Sequence, residues 1–426
     1  MGSTEGNIYG LWNARDYLAG RKLIVDKKKE KNKFGQFRQR YLKPDIKEED
    51  LEQAEIAYTP VAFYSQDTHY SIIKAMRVLG IETFHNIGST KYKDQNPLEP
   101  ETCSWDGYEE VPSEGVDEGP GSIDIKALAT LVEFFAEKGY PILINLNYGS
   151  TFKGAYDDVE SIQDRLIPIF QKDGLVNRKV YYNKDEGKFD YRDGYWIHVD
   201  GALGAAYMPF LELANKHDKS VRRGPNFDFR LPAINSLVMS GHKWPGAPWP
   251  CGIFMTKVKY QITPPDDPKY LGSPDSTFAG SRNVFTPVIL WDYLAKHSYE
   301  KQKELALGCE KMAQYAYEQL FTVKDAHPDI DDLYVDRTPL ALTVRFRKPN
   351  KDIIFKYSLS CESLEHKTKD DEGKDVVEER HYAHMFAMMS TTKQNIDDLV
   401  HYLKQPDAFK ADDEEPMAFQ MKSAWR

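Results

Sequence analysis

The chain has 426 residues, of which 41% are hydrophobic and 13% aromatic, so it can bury a large core and is long enough for two domains. With 56 Lys and Arg against 66 Asp and Glu, its net charge of −10 disfavours nucleic acid or an anionic membrane as the main partner. The four cysteines include no C-x-x-C pair, which argues against a zinc site or a disulfide framework.

The amino terminus predicts a helix that faces an anion. Apolar residues between positions 8 and 18 have helical spacing, and the small hydroxyl residues Ser3 and Thr4 precede them. Such residues leave backbone N–H groups free and add side-chain donors, so the site suits a phosphate. An ordinary N-cap is the alternative. The first residues do not resemble a signal peptide and no apolar run could cross a bilayer, so we expect a cytoplasmic protein.

Strands and helices alternate through the next part of the chain. The pattern predicts strands at 61–64, 82–84, 141–146 and 194–199, and helices at 70–79, 123–138 and 161–171. Residues 97–121 are acidic and rich in Pro and Gly, which predicts an inserted loop. The alternation predicts an α/β fold with a mostly parallel, doubly wound sheet, in which ligands bind beyond the carboxyl ends of the strands.

The carboxyl-terminal part predicts a smaller α+β domain. Helical segments at 288–296 and 299–320 form a connection, followed by strand-like runs at 340–346, 353–359 and 384–389 and a helix at 393–403. The charged run 362–380 predicts a solvent loop. We therefore predict a large domain over 1–298 and a small domain over 299–426.

Two stretches carry the strongest chemical signal. The apolar run 197–200 ends in Asp200, and the small-residue turn 240–244 places Lys243 43 residues later. A lysine amine can condense with the aldehyde of pyridoxal phosphate, and an aspartate can pair with the pyridine nitrogen and keep it protonated. Each residue alone has an ordinary explanation, as a solvated lysine and a turn aspartate. Together they favour a pyridoxal phosphate site.

Polar residues at other strand ends suit the same cofactor. His69 lies at a strand-to-helix junction, where an imidazole can stack on the ring and contact the substrate carboxylate; a capping or core histidine is the alternative. Thr151 can reach the ring from the opposite face, and Asp157 would tie down the loop or cap the next helix. A plain polar turn explains both residues equally well.

Further signals surround the lysine and follow it. Ser240 and His242 flank Lys243, and a hydroxyl and an imidazole there are natural phosphate donors. Tyr270 and the run 278–283 lie on a loop rich in Pro and Gly. Such loops cover active sites, and Tyr270 can return a proton to the substrate carbon after carbon dioxide leaves. Ordinary surface-loop chemistry is the alternative.

These residues resemble the group II pyridoxal-phosphate-dependent amino-acid decarboxylases, the family of glutamate, aromatic amino-acid and histidine decarboxylases. The similarity is greatest to the bacterial histidine decarboxylase and plant serine decarboxylase branch. The matching stretches occur in family order at 2–7, 68–71, 149–155, 198–202, 240–243, 250–252 and 280–283. The resemblance covers the predicted large domain and implies a fold-type I enzyme with pyridoxal 5'-phosphate as its cofactor and no metal.

The resemblance implies a role for each matching residue. Lys243 would bind the cofactor aldehyde and Asp200 would pair with the pyridine nitrogen. His69 would stack on the ring, with Ala202 and Thr151 close to it. The phosphate-binding residues would be Ser3, Thr4, Ser240 and His242, helped by Gly280 and Ser281 from a second subunit. Because family members are homodimers with active sites shared across the interface, we expect a homodimer.

The implied reaction converts an L-amino acid to its amine and carbon dioxide, with Tyr270, Lys243 or His69 returning the proton. Oxidative deamination to an aldehyde is the second hypothesis. It ranks below decarboxylation because relatives that make aldehydes commonly have phenylalanine in place of the mobile-loop tyrosine, whereas this sequence has Tyr270. Histidine is the first predicted substrate because of the branch resemblance. Valine or another branched or aromatic amino acid is the alternative, because residues 284–285 are Val-Phe where that branch usually has Gly-His.

The start of the sequence departs from the family pattern. Family members carry a segment before the first phosphate-binding motif that helps form the dimer and line the substrate pocket, whereas this sequence starts at Met1 within that motif. A truncated, inactive homologue is therefore the third hypothesis. The insertion at 97–121 is also longer than we expect for compact family members.

Overall fold

The computed structural model describes residues 2–20, 51–115, 119–183, 185–260, 279–369 and 375–410. The chain folds into two units, a larger one of residues 1–151 and 155–306 and a smaller one of residues 152–154 and 307–426. No helix in the described part of the chain is both long enough and apolar enough to span a membrane.

The larger unit contains a mostly parallel sheet. The strands of this unit are β1 (Val61–Phe63), β2 (Glu82–Thr83), β3 (Ile142–Asn147), β4 (Arg178–Asn183), β5 (Lys188–Arg192), β6 (Tyr195–Asp200), β7 (Ile234–Ser240) and β8 (Gly252–Thr256), and six of them form the sheet. The sheet has the order β2-β1-β3-β6-β7-β8, and β8 alone of these six is antiparallel to its neighbour. Strands β4 and β5 form a separate hairpin. The predicted mostly parallel sheet is confirmed.

Helices cover both faces of this sheet. The helices of the larger unit are α1 (Ser3–Leu18), α2 (Leu51–Tyr58), α3 (Tyr70–Leu79), α4 (Phe84–Lys91), α5 (Ile125–Glu137), α6 (Val159–Lys172), α7 (Gly204–His217) and α8 (Phe285–Lys296), and α9 (Tyr299–Phe321) has residues in both units. Successive residues of a strand point to opposite faces. Ala62 packs in a buried cluster with α1 and α3, whereas Phe63 stacks on Phe84 of α4 and contacts Phe135 of α5. The sheet is therefore doubly wound.

Glycines bring helix α1 close to the sheet. A Cβ built on Gly6 would lie 2.2 Å from Cγ2 of Val238, and one built on Gly10 would lie 2.5 Å from Cε1 of His198. Carbon atoms cannot approach so closely without repulsion, so both positions require glycine for packing. The helix can therefore lie against β6, β7 and β8 and carry its first turn to the end of β7.

The predicted insertion at 97–121 contains no helix or strand among its described residues, 97–115 and 119–121. One aromatic side chain anchors it. Trp105 is 2% exposed, and its indole Nε1 donates a hydrogen bond to the carbonyl of Tyr92 at 2.8 Å. Its ring fills the space beside Gly88 of α4. The acidic surface of the insertion is thus attached to the core by a buried tryptophan.

The smaller unit combines a three-stranded antiparallel sheet with helices. Its elements beyond α9 are β9 (Thr343–Arg347), α10 (Lys351–Tyr357), β10 (Ser360–Lys369), β11 (Asp375–Phe386) and α11 (Lys393–Leu403), and β11 lies between β10 and β9. Val344 and Phe346 of β9 pack in a buried cluster with Leu399 and Leu403 of α11. This unit has its own apolar core.

Two predictions in the smaller unit are wrong. The sequence predicts a strand at 353–359, but helix α10 contains these residues as far as Tyr357, and Asn350 caps it by accepting a hydrogen bond from the N–H of Ile353 at 3.1 Å. The charged run 362–380 predicts a loop, but its described residues form the β10–β11 hairpin. Charged side chains such as Glu362 and Glu378 are exposed while ladder hydrogen bonds satisfy the backbone, so charge does not exclude strands.

Candidate active site

The carboxyl ends of three neighbouring parallel strands meet at one cavity in the larger unit. Strands β3, β6 and β7 end at Asn147, Asp200 and Ser240, and the sheet pairs Asn147 with Asp200. The cavity has a volume of about 290 Å³. The predicted site residues that line it are Ser3, Thr4, His69, Thr151, Asp200, Ala202, Ser240, His242 and Lys243. The fold therefore collects at one sheet edge residues that are far apart in the sequence.

The first turn of helix α1 forms one wall of the cavity. Gly2 is its N-cap residue, and no side chain caps this turn in the described part of the chain. The N–H of Glu5 donates to the carbonyl of Gly2 at 3.0 Å, and the N–H groups of Ser3 and Thr4 are available to an anion, which the helix dipole also favours. The buried hydroxyl of Ser3 is hydrogen-bonded to that of Ser240, and Thr4 also lines the cavity. Backbone N–H groups and hydroxyls in this arrangement suit a phosphate.

His242 adds an imidazole to the same wall. Its Nδ1 lies 3.1 Å from the backbone nitrogen and 3.2 Å from the carbonyl oxygen of Cys251. When the N–H of Cys251 donates to Nδ1, the imidazole carries its proton on Nε2, which is then the donor left for a ligand. A Cβ built on Gly2 would lie 2.8 Å from Cε1 of His242, so glycine at position 2 lets this ring lie beside α1.

Lys243 lies on the turn that follows β7. Its side chain is half-buried and forms no hydrogen bond or ion pair with another residue that the structure describes. Burial lowers the pKa of its amine, and the carboxylate of Asp200 opposes this shift by raising the pKa. A lowered pKa increases the neutral fraction of the amine near pH 7, and the neutral form is the one that attacks an aldehyde.

Asp200 is held in place at the end of β6. It is 6% exposed, its Oδ1 accepts a hydrogen bond from the N–H of Ala202 at 3.1 Å, and its Oδ2 accepts one from Nδ2 of Asn7 at 2.7 Å. Two donors on different oxygens fix the plane of the carboxylate. A buried, oriented carboxylate is suited to pair with a protonated ring nitrogen.

His69 is the N-cap residue of α3 and also lines the cavity, so the capping alternative and the predicted site position both hold. Its Nδ1 lies 2.7 Å from Oγ of Ser71. Burial is the main cause that lowers the pKa of His69; the Asp200 carboxylate raises that pKa, and the Lys243 amine lowers it. A neutral ring whose Nδ1 accepts a hydrogen bond carries its proton on Nε2.

The loop after β3 places Thr151 at the cavity. Gly149 in this loop has a φ of 99°, a conformation that favours glycine. As predicted, Asp157 ties the loop down: its buried carboxylate accepts hydrogen bonds from the N–H groups of Asn147 at 2.6 Å and Ile123 at 2.7 Å. Thr151 itself is exposed on a turn that is fixed at both ends.

Two predicted site residues, Gly280 and Ser281, do not line the cavity, and the structure does not describe a third. Tyr270 lies outside the described residues. Gly280 and Ser281 are exposed, and neither lines the cavity within one chain. Because their predicted contact with the phosphate is from a second subunit, it stays a prediction.

Sequence reasoning missed two polar residues that complete the site, Asn7 and His198. Asn7 lies four residues after Ser3, so it faces the same side of α1 and lines the cavity. His198 lies two residues before Asp200, so it faces the same side of β6. These spacings were signals that could have identified both, since each residue shares a face with a predicted site residue.

Comparison with known proteins agrees with this geometry. Residues 110–290 match the family model of the pyridoxal-dependent decarboxylase conserved domain. The chain is similar to a crystal structure of L-methionine decarboxylase from Streptomyces sp. 590, with 46% identity and a TM-score of 0.81 over 95% of this chain and 76% of that one. That structure is similar across both units of this chain, and the predicted fold-type I class is confirmed.

Curated relatives are more distant in sequence. Histidine decarboxylase from Solanum lycopersicum is 27% identical over 394 residues, which span 89% of this chain and 69% of the relative. Serine decarboxylase 2 from Oryza sativa subsp. japonica is 26% identical over 365 residues, which span 85% of this chain and 54% of the relative. The chain thus corresponds to about half to two thirds of the length of these relatives.

Proposed function

This chain belongs to the pyridoxal-dependent decarboxylase family, whose members are carboxy-lyases that use pyridoxal phosphate, and from this premise we propose that it releases the α-carboxyl group of an L-amino acid as carbon dioxide. One observation carries the proposal: the amine of Lys243, the oriented carboxylate of Asp200 and the first turn of α1 line a single cavity.

The donor set of the cavity fits pyridoxal phosphate. The aldehyde requires an amine with a lowered pKa, and Lys243 provides it. The phosphate requires N–H and hydroxyl donors at a helix start, and the pyridine nitrogen requires a carboxylate, which Asp200 provides. The residues that we propose hold the phosphate are Ser3, Thr4, Ser240 and His242.

When bound, pyridoxal phosphate supplies a conjugated ring that accepts the electrons left by the departing carboxyl group. Asp200 would keep the proton on the pyridine nitrogen, because a buried anion stabilises a cation beside it. His69 would lie over the ring with its Nε2–H available to the substrate carboxylate, and Thr151 and Ala202 would flank the ring. Tyr270, Lys243 or His69 would then deliver a proton to the substrate carbon.

Methionine is the first substrate that we propose to test. The Streptomyces L-methionine decarboxylase is 46% identical to this chain, whereas the histidine decarboxylases are 26–28% identical. Asp200 is the sole carboxylate among the described residues that line the cavity, and it faces the proposed ring position. An imidazole substrate would therefore lack an anionic partner in that lining. Histidine, which the sequence predicted first, is the second candidate, followed by valine and other branched or aromatic amino acids.

The predicted homodimer is supported by an exposed apolar face near Gly280 and Ser281. Large apolar side chains recur along one side of α8 and at its N-cap with more than half of their surface exposed, a pattern that marks interaction surfaces. They are Val284, Phe285, Val288, Trp291 and Leu294. We propose that a second copy covers this face and brings Gly280 and Ser281 to the phosphate. The cytoplasmic location predicted from the sequence stays a prediction.

The test is an assay of the full chain with pyridoxal phosphate and a panel of separate L-amino acids. We expect the corresponding amine and carbon dioxide in equal amounts, with methionine giving the highest kcat/KM. Histidine or valine as the best substrate would overturn the substrate assignment and leave the reaction type intact. Aldehyde, carbon dioxide, ammonia and peroxide in place of the amine, with oxygen consumed, would mean that decarboxylation is coupled to oxidative deamination. A protein that binds the cofactor without turnover would support an inactive homologue.

A further inference from the structure

A directed chain of hydrogen bonds runs beneath the cavity and ends at the two groups that face the cofactor position. We propose that Asn7 is a positioning residue that joins Asp200 and His69 through this chain and thereby sets the orientation of one and the tautomer of the other. The inference rests on the proposed function, because it assigns Asp200 and His69 to the cofactor. The residues of the hydrogen-bond chain are Trp196, Ser236, His198, Asn7, Asp200, Ser71 and His69.

The carboxylate of Asp200 fixes the direction of the chain. A carboxylate only accepts hydrogen bonds, so the Asn7 atom 2.7 Å from Oδ2 of Asp200 is the amide nitrogen. The other side-chain atom of Asn7, Oδ1, then faces Nε2 of His198 at 3.0 Å. Because Oδ1 cannot donate, Nε2 of His198 must carry a proton.

The other end of the chain is consistent with this direction. Burial lowers the pKa of His198 to about 4, so the ring is neutral near pH 7 and its Nδ1 is an acceptor. The hydroxyl of Ser236 lies 2.8 Å from this Nδ1 and donates to it. The same hydroxyl accepts a hydrogen bond from Nε1 of Trp196 at 2.9 Å, and an indole N–H can only donate.

A branch at Asn7 reaches His69. The second proton of the Asn7 amide points to Oγ of Ser71 at 3.1 Å. The Ser71 hydroxyl, having accepted this bond, can donate to Nδ1 of His69 at 2.7 Å. This places the His69 proton on Nε2. The Asn7 side chain forms three hydrogen bonds, which use both of its N–H donors, and it is 1% exposed, so water does not compete for these donors.

The packing of α1 against the sheet holds His198 in its place in the hydrogen-bond chain. Gly10 lies three residues after Asn7 on α1. A Cβ built on Gly10 would lie 2.5 to 3.0 Å from three atoms of the His198 imidazole. The ring therefore occupies the space that a side chain at position 10 would need. Any larger residue at this position would displace His198 from Asn7.

The primary test compares Asn7→Leu with Asn13→Leu in the full chain. Both asparagines are buried in α1, but Asn13 does not line the cavity. We expect Asn7→Leu to weaken pyridoxal phosphate binding about tenfold or more, to shift the absorbance maximum of the bound cofactor, and to lower kcat more than it changes KM. Asn13→Leu should leave binding and absorbance unchanged. Equal loss of thermal stability in both variants with unchanged cofactor binding by the folded Asn7→Leu protein would overturn the proposal.

A second pair of variants remains informative if Asn7→Leu does not fold. A glutamine amide can place an N–H near the position of Nε2, so His198→Gln keeps the donor to Asn7, whereas His198→Phe removes it while keeping a ring. We expect His198→Gln to bind pyridoxal phosphate more tightly than His198→Phe by about tenfold. Equal affinity of the two variants for pyridoxal phosphate would contradict the proposed hydrogen-bond chain.

Nitrogen-15 NMR of the cofactor-free protein separates this inference from the proposed function. The hydrogen-bond chain predicts that His198 is neutral with its proton on Nε2. Asn7→Leu should increase the fraction of His198 that carries its proton on Nδ1, because Nε2 loses its acceptor. A His198 proton on Nδ1 in the parent protein would disprove the chain. If the parent protein binds no pyridoxal phosphate, the proposed function fails, while the nitrogen shifts still decide whether the chain exists.

Discussion

The carboxylate of Asp200 and the amine of Lys243, which both line the cavity, differ in how completely their polar atoms are hydrogen-bonded. On the α1 and β6 side, Asp200 and His198 are almost fully buried, and each polar atom of their side chains has a hydrogen-bond partner. On the turn after β7, Lys243 is half-buried and has no partner among the described residues. One side is fixed before any ligand arrives, and the other presents an amine that can react.

This difference matches the chemistry that each side has to perform. A group that stabilises charge works best when its orientation is set in advance, because no reorganisation is then needed during the reaction. An amine that forms and releases a covalent bond must instead move and exchange protons. The contrast thus predicts that substitutions on the fixed side weaken cofactor binding and the stabilisation of charge during the reaction, whereas substitution of the lysine removes the covalent chemistry itself.

Replacement of Lys243 should have the largest effect. Lys243→Ala removes the amine, so carbon dioxide release should fall by at least about a thousandfold. The matched control is Lys257→Ala: burial also lowers the pKa of Lys257, but this lysine does not line the cavity and donates to the carbonyl of Pro232. The control should keep nearly full activity in a carbon dioxide assay. Normal activity of Lys243→Ala would remove the lysine from the mechanism.

Neutralising Asp200 should have the next largest effect. In Asp200→Asn, an amide replaces the carboxylate that faces Nδ2 of Asn7 and the proposed ring nitrogen, so we expect kcat to fall about a hundredfold. The fall should exceed any change in KM, since the ring nitrogen acts after the substrate is bound. Steady-state kinetics at saturating cofactor measure both quantities. An unchanged kcat would show that this carboxylate does not stabilise the reaction.

Loss of His242 should have a smaller effect that is confined to cofactor binding. His242→Ala removes an Nε2–H donor proposed for the phosphate, so the Kd for pyridoxal phosphate should rise about tenfold, with little change in kcat at saturating cofactor. Fluorescence titration of the cofactor-free protein measures this Kd. A larger fall in kcat than in affinity would assign His242 to the reacting atoms rather than to the phosphate.

The pH dependence of cofactor capture should show the smallest effect. Because burial lowers the pKa of Lys243, the rate at which the cofactor-free protein captures pyridoxal phosphate should rise with pH and level off below the 10.5 of an ordinary lysine. The Asp200 carboxylate raises this pKa, so Asp200→Asn should move the midpoint to lower pH. Stopped-flow absorbance follows the rate, and a midpoint that moves upward would contradict the assigned sign.

The paired residues at strand ends could be predicted from the sequence because strand position determines where they lie. Asp200 and Lys243 each follow an apolar run, and parallel strands bring their carboxyl ends to one edge of the sheet. The position of His69 follows from the same alternation of strands and helices, whereas Ser3 and Thr4 were predicted from the start of the N-terminal helix and from the family resemblance. The order of strands and helices along the sequence was sufficient to predict that Asp200 and Lys243 lie at the same edge of the sheet.

The remaining parts of the site depend on packing that local patterns do not encode. Asn7 and His198 are 191 residues apart, and they meet because Gly6 and Gly10 let α1 approach the sheet. In the smaller unit, the charged β10–β11 hairpin is held by cross-strand pairing, and its composition resembles that of a loop. Such features require knowledge of which element lies beside which.

Reductive trapping tests the central claim most directly. The full chain would be loaded with pyridoxal phosphate, reduced with borohydride and digested, and the modified peptide identified by mass spectrometry. We expect the cofactor to be attached to Lys243 and the Lys243→Ala protein to retain none at this peptide. Attachment to a different lysine, or no attachment in the parent protein, would contradict it.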